Sequence, residues 1–461
     1  MVFKGGNVWG CSILCLAFMF LAACRERPWN NPYPAQEQGR NILYSAFSER
    51  PKHLDPAQSY SENEAVFLSQ IYEPPLQYHY FLRPYTLIPA TAREVPRPRL
   101  LDRSGKELSE QADASQVAYS LYEIRIRPGI RYQPHPALAR DPQGQYLYHH
   151  LKPEELKNIY SLSDFKETGT RELTAADYAY QIKRLALPQL HSPIYGLMSE
   201  FIVGLKEYGG VLQKARQEQK RFGKNDSYLD LNRYPLEGVE VVDRYTYRIK
   251  IKGKYPQFIY WLAMSFFAPV PEEAERFYAQ PGMEKKNFTL DWYPIGTGPY
   301  WLAQNNPNRQ MVLERNPYFH GEAYPAIGEP EDREAGHLKD AGRAMPFIDR
   351  AVFSLEKEGI PYWNKFLQGY YDASRISSDS FDQAIQFNST GDMTLTEAMS
   401  RKGIKLSASV APSLFYMGFN MLDSVVGGSS ERARKLRQAI SIAVDQEEYL
   451  SIFANGRGIA A

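Results

Sequence analysis

The sequence predicts a mixed α/β protein of the α+β kind, built with antiparallel hairpins. Three observations carry that reading: strands written as apolar–polar alternation, helices that start at capping boxes and stop at proline, and an irregular order with no strict strand–helix repeat. In chain order, Asn41 to Phe47 is a short strand candidate that leads into Leu54-Asp55-Pro56. Ser61 and Glu64 then form a capping box, and Ala65, Leu68, Ile71 and Tyr72 recur at helical spacing until Pro74 and Pro75 stop the helix. Tyr122, Ile124 and Ile126 alternate with Glu123, Arg125 and Arg127 ahead of a Pro128-Gly129 turn, so one face is buried and the other is wet. A second capped helix is expected at 174–187, with Thr174 as cap, Asp177 at the third position, Tyr178, Ile182 and Leu185 on one face, and Pro188 as the stop. Tyr247, Ile249 and Ile251 alternate with basic residues in a strand that pairs, across a turn at Asp243 and Arg244, with one containing Val239 and Val241. Tyr300 and Leu302, a polar turn at 305–308, and Met311 and Leu313 predict a further hairpin. The end of the chain is helical: Ala433, Leu436, Ile440 and Ala443 form a face behind Ser430, and Asp445 with Glu448 caps a last helix that stops at Asn455-Gly456. Two polar stretches, Arg97 to Ser115 and Pro134 to Arg171, are expected as surface insertions.

A chain of 461 residues is longer than one core usually serves, about 250–300 residues, so more than one domain is expected. Basic residues number 54 and acidic residues 53; removing residues 1–23 deletes only Lys4 and leaves the two counts equal. With no long basic run, binding to nucleic acid or polybasic docking on anionic lipid falls away as a function. Aromatic residues reach 13%, with 33 Tyr among them, an excess that either fills the core or faces a ligand.

Residues 1–23 read as an export signal: Lys4 supplies the positive start and Cys11 through Ala23 is apolar apart from Ser12. As a helix that apolar run spans about 20 Å, short of the roughly 30 Å hydrocarbon layer, so it is an h-region before it is an anchor. Leu21-Ala22-Ala23-Cys24 is similar to a bacterial lipobox, which makes Cys24 the expected site of lipidation. Cys11 and Cys15 lie inside the signal, so the mature chain keeps Cys24 alone and has no internal disulfide. Pro28, Pro32 and Pro34 among polar residues make 24–41 an extended tether between the lipid and the body.

A search for catalytic constellations finds none: no G-x-S-x-G elbow, no H-E-x-x-H, no complete phosphate loop and no zinc cysteine pair. Pro299 after Gly296-Thr297-Gly298 removes an amide that a phosphate would need. His149 and His150 near Glu154 and Glu155 are expected in a solvated loop, because neighbouring side chains point apart. Glu331, Asp332 and Glu334 are expected on a solvated surface. No metal, no cofactor and no enzyme activity are expected.

Read in order, the motifs resemble the extracellular solute-binding proteins of the dipeptide and oligopeptide ABC-transporter family, family 5. Leu54-Asp55-Pro56 with a helix ending Ile71-Tyr72-Glu73 resembles the family's amino-terminal signature, although Pro74 stands where many members have Gly. Tyr122 to Gly129, Leu173 to Tyr178 and Val239 to Pro256 resemble its strands and capped helix; Ile295-Gly296-Thr297-Gly298-Pro299-Tyr300 is the most specific match, and Leu313-Glu314-Arg315-Asn316-Pro317-Tyr318 follows at the expected distance. Phe419-Asn420 and Arg434 to Ala443 resemble the start of the second lobe.

The resemblance implies a two-lobed periplasmic-binding-protein type II-like architecture, with 42–412 as the first lobe and its insertions and 413–461 as the start of a second lobe, which it leaves incomplete. It also implies a monomer that encloses a peptide ligand, delivers it to ABC-transporter permease subunits and sits, lipid-anchored, in the periplasm or at the cell surface. Related proteins place the stretch after Leu54-Asp55-Pro56 against peptide, which nominates Tyr60, Ser61 and Glu62; Ser61 has a competing role as helix cap. Tyr195, and Phe415, Tyr416 and Met417 at the lobe junction, are further substrate-binding candidates that could equally be core. A binding protein for another solute, such as a metal chelate or sugar, an anchored hydrolase, and a scaffold for a protein partner remain as alternatives.

Overall fold

A computed structural model describes residues 33, 35–37, 39–223, 228–389, 393–408 and 413–460. The expected export signal, Cys24 and most of the expected tether lie outside the described residues. Two compact units divide the described chain, Tyr33–Leu355 and Glu356–Ala461. That division precedes the lobe boundary at 412/413 expected from the resemblance.

In the larger unit the alternating segments build a five-stranded antiparallel sheet in the order Glu107–Leu108, Arg99–Leu101, Tyr119–Arg125, Thr246–Lys252, Val239–Asp243. Tyr122 pairs with Ile249 and Ile124 with Tyr247, so the apolar positions of both central strands point to one face. On that face the Ala175–Arg184 helix stacks Tyr178 on Tyr247 at 5.2 Å. The opposite face is wet, and Arg248 there pairs with Glu123 and Glu240. The first insertion is therefore part of the fold: its strands extend the sheet, and Leu100 is buried.

A four-stranded sheet has the order Ile42–Phe47, Arg350–Leu355, Gln310–Arg315, Tyr300–Asn306; the first pair is parallel and the others antiparallel. The pairing of residue 42 with 350 closes the unit on itself. One hydrophobic core runs through both sheets and includes Phe67, Leu68, Ile71, Ile124, Ile182, Phe258, Phe277 and Ile295. The first capped helix, Glu62–Ile71, turns Phe67 into this core, while Ala65 faces solvent. The second, Ala175–Arg184, ends ahead of the expected residue 187, and a short 3₁₀ turn, Pro188–Leu190, follows.

The second insertion corrects the surface expectation more sharply. His135, Leu138, His149, Leu156 and Phe165 are buried, so 134–171 is a loop-rich plug of the core. His149 is not solvated: Nε2 meets the Ala137 carbonyl at 2.9 Å and its ring stacks on Tyr146 at 4.3 Å.

The smaller unit has its own modest core, in which Trp363, Phe381, Ile385 and Met399 meet. Its last helices form where the capping signals place them, at Glu431–Ala443 and Gln446–Phe453, with Ser430 and Asp445 accepting from backbone amides. Of the predicted apolar face only Ala433 is buried.

The Ile295 to Tyr300 motif packs against the end of the Glu62–Ile71 helix. The Gly298 amide donates to the Ile71 carbonyl at 2.8 Å, capping an otherwise unpaired helix carbonyl. A Cβ on Gly296 would lie 1.9 Å from that same oxygen, so only glycine fits. Gln133 brackets the motif, donating its amide to the Gly296 carbonyl and accepting from the Gly296 amide, and Asn316 donates to the Gly298 carbonyl at 2.9 Å. Gly296→Ala is expected to lower stability by about 1–3 kcal/mol, read as an earlier urea midpoint at unchanged slope.

Candidate functional site

Local sequence alone would leave 52–61 a free loop, since it has no regular structure. Three carboxylates hold it. Asp55 follows the helix-capping logic on a small scale, accepting from the Ala57 amide at 2.9 Å, and then meets Arg184 in a two-pronged pair, Nη1–Oδ1 at 3.0 Å and Nη2–Oδ2 at 2.6 Å. Arg184 is completely buried; its Nε donates to Glu275 at 2.5 Å and its Nη1 to Gln181 at 2.8 Å. Burial works against its charge, but Asp55 and Glu275 outweigh burial and raise its pKa.

Asp291 accepts from the amides of Leu54 and Asp55, both at 3.1 Å, and lies 3.3 Å from His53. Burial, followed by the nearby Asp55 carboxylate, pushes its pKa up. Glu64 collects the rest of the loop. One oxygen accepts from the Lys52 and His53 amides at 3.0 and 2.9 Å, and the other from the Ser59 hydroxyl and the Tyr60 and Ser61 amides at 2.9, 3.1 and 3.3 Å. Burial alone would raise the Glu64 pKa, yet the bonds from Ser61, His53 and Ser59 prevail and hold it at about 2.

The pinned loop presents Tyr60, Ser61 and Glu62 together at the surface. Tyr60 is 73% exposed, with its ring 6.0 Å from that of Phe266. Phe266 is fixed in turn, because Gln181 donates to its carbonyl at 3.0 Å. Ser61 spends its hydroxyl in the capping box with Glu64, and Glu62 is exposed in the first helical turn.

Tyr195 sits elsewhere in the larger unit. It opens the Tyr195–Phe201 helix and is half-buried, its hydroxyl filling the space over Gly209, where a Cβ would lie 2.0 Å away. Burial, then Glu207, raises its pKa. Phe415, Tyr416 and Met417 lie in the smaller unit on a segment without regular structure, Phe415 at 95% exposure. Tyr60, Ser61 and Glu62 therefore share one rim, and Tyr195 packs between helices.

Sequence reasoning missed Arg184, Glu275, Asp291 and Phe266, all far from Asp55 along the chain. It also missed the Glu73–His320 contact at 2.9 Å, which ties the end of the first helix to the segment after the motif at 313–318. Among the described residues no group of three or more His, Cys, Asp or Glu is arranged to hold a metal ion, and no helix is long and apolar enough to cross a membrane.

The electrostatics dictate acid sensitivity. Burial holds the His135 pKa at about 3 and depresses that of His149, so below pH 6.5 the unfolded chain takes up protons that the folded chain refuses, and stability falls with pH. Glu64 adds a second loss: its folded pKa is depressed, so its contribution is full above about pH 4.5 and disappears as pH falls towards about 2. Glu64→Gln, which cannot accept on its amide nitrogen, is expected to cost about 2–4 kcal/mol at pH 7. It should also make the fall of the urea midpoint below about pH 4.5 shallower, leaving the part due to His135 and Glu273 and the decline between about pH 6.5 and 4.5 in place.

No curated protein matches this chain. Solved structures with a similar arrangement include the Escherichia coli murein tripeptide binding protein MppA, at 14% identity and TM-score 0.44, covering 75% of this chain and 48% of that one. Haemophilus influenzae OppA in complex with RPPGFSPFR aligns at 15% identity and TM-score 0.44, with 75% and 48% covered. The pheromone receptor PrgZ aligns at 15% identity and TM-score 0.49, with 89% and 58% covered. The chain thus spans about half the length of these proteins. The family model for the middle of bacterial extracellular solute-binding proteins, family 5, matches residues 168–461, more than half of the sequence, and the chain belongs to that family.

Proposed function

We propose that this protein is the peptide-capturing component of an ABC importer. On this reading it binds peptide without making or breaking a covalent bond and delivers it, as a monomer, to membrane permease subunits. Residues 1–23 direct export, Cys24 carries the lipid, and 24–41 tether a body held in the periplasm or at the cell surface. Residues 42–412 form the first lobe and 413–461 begin the second.

One observation carries the reading: in a chain of the extracellular solute-binding family, a loop without regular structure is held rigid by buried carboxylates, so that Tyr60, Ser61 and Glu62 face outward. Such preorganisation lowers the entropy cost of gripping a ligand. Tyr60 offers a flat apolar face with a hydroxyl, and Glu62 a carboxylate suited to ammonium or amide donors. Phe415, Tyr416 and Met417 are proposed as ligand contacts of the second lobe, and Tyr195 as a contact on the first.

Mass spectrometry of ligands released from the purified full-length protein is expected to find peptides, and a peptide library is expected to raise its melting temperature. A complete absence of both effects would overturn the proposal. Expressed in a bacterium that lipidates exported proteins, Cys24→Ser is expected to lose the diacylglycerol mass and move from the detergent phase to the aqueous phase; an unchanged intact mass would remove the anchor from the account.

A further inference from the structure

The chain enters its first strand by way of a fold-back. Ile42–Phe47 lies at the edge of the four-stranded sheet, and Tyr33 stacks on Tyr44 of that strand, 3.5 Å between ring centroids and 22° apart in plane. An extended chain would hold these two residues about 36 Å apart, so the segment between them doubles back. Glu37, which closes the 3₁₀ turn Ala35–Glu37, makes a second tie. One of its oxygens accepts from the Tyr44 hydroxyl at 2.5 Å and the other from Arg350 Nη1 at 3.0 Å. Arg350 opens the neighbouring strand, where it pairs with Ile42. The Arg40 amide donates to the Glu37 carbonyl at 3.1 Å and the Asp349 amide to the Asn41 carbonyl at 2.8 Å.

A passive spacer would make no such contacts. The ring stack and the shared carboxylate close the same short loop, so forming one lowers the entropy cost of forming the other. Glu37 and Arg350 are both half-buried, which leaves their pair less screened than one in open water.

We propose that residues 33–37 are a clasp that fastens the amino-terminal arm to the sheet edge, so that the tether proper ends at Pro32. The stretch from Cys24 to Pro32 spans at most about 30 Å, against about 55 Å for a tether running on to Asn41. The clasp therefore keeps the body close to the membrane and suspends it from the edge where Ile42–Phe47 meets Arg350–Leu355. This rests on the reading of Cys24 as the lipid site and of 24–41 as a tether, and it divides that tether in two.

A glutamyl endopeptidase tests the clasp independently of the lipid, because Glu26 and Glu37 stand on either side of Pro32. On the purified full-length protein, cleavage after Glu26 is expected to be at least about tenfold faster than after Glu37. Tyr33→Ser with Arg350→Gln should bring the two rates within about threefold of each other. Tyr33→Ser alone, which lies outside every strand and helix, should speed cleavage after Glu37 several-fold. Equal rates in the wild type, or a slow Glu37 site that neither variant speeds, would overturn the clasp and leave lipidation standing. In phosphatidylcholine vesicles carrying an acceptor-labelled lipid, a donor dye on Glu49→Cys, exposed beyond the first strand, should transfer energy less efficiently once the double variant opens the clasp. Unchanged transfer with a freed Glu37 site would overturn the shortened reach. Failure to join the vesicles at all would overturn the anchor and the reach together, while the proteolysis still decides the clasp.

Discussion

The structure depends on one buried cation. Arg184 has no contact with water, and an isolated charge in such a place would be strongly destabilising. Asp55 and Glu275 make it tolerable, and by doing so they lock three separate pieces of chain together: the 52–61 loop, the Ala175–Arg184 helix and the Glu272–Tyr278 helix. Replacing such a pair with apolar residues often costs nothing in stability, so its value here is better sought in geometry. The pair fixes where the loop lies, and the loop fixes where Tyr60 and Glu62 point.

Glu64 and Asp291 extend the same principle to the backbone. A loop passing over a core must find partners for its amides; in 52–61 those of Gln58 and Ser59 donate to the Asp55 carbonyl, and those of Lys52, His53, Leu54, Asp55, Tyr60 and Ser61 donate to side-chain oxygens where a sheet would supply carbonyls. The most family-specific motif, Ile295 to Tyr300, belongs to this scaffold also. Its glycines let the backbone touch the end of the Glu62–Ile71 helix, so the motif anchors the helix that carries the rim. The helix is thereby held at both ends, by Glu64 at its start and by Gly298 at its finish.

Much of the architecture was legible in the residues, because its signals are local. Alternation at Tyr122–Ile126 and Tyr247–Ile251 names a strand and its buried face, and Ser61 with Glu64 or Thr174 with Asp177 names a helix start, without reference to anything distant. The long-range chemistry was not legible. Arg184 reads as an ordinary basic residue in the last helical turn, and nothing near it announces an aspartate 129 residues earlier. The 134–171 stretch has a polar composition, yet its few apolar residues and two neutral histidines turn inward, and composition cannot say which way they turn. The last helices show the converse: periodicity gives Glu431–Ala443 an apolar face, but only packing decides whether it is covered. At the site, Tyr60 to Glu62 could be nominated from the motif before them, whereas Phe266 and Asp291 come from remote turns that fold beside it.

The central claim is that buried carboxylates make the 52–61 loop as rigid as regular structure. Native-state amide hydrogen exchange tests it most directly. The amides of His53, Leu54, Asp55 and Tyr60 should be protected nearly to the level of the central sheet strands in the wild type, and should lose that protection in Asp55→Asn while the strands keep theirs. Exchange at those four amides as fast as in an unpaired surface loop would contradict the account.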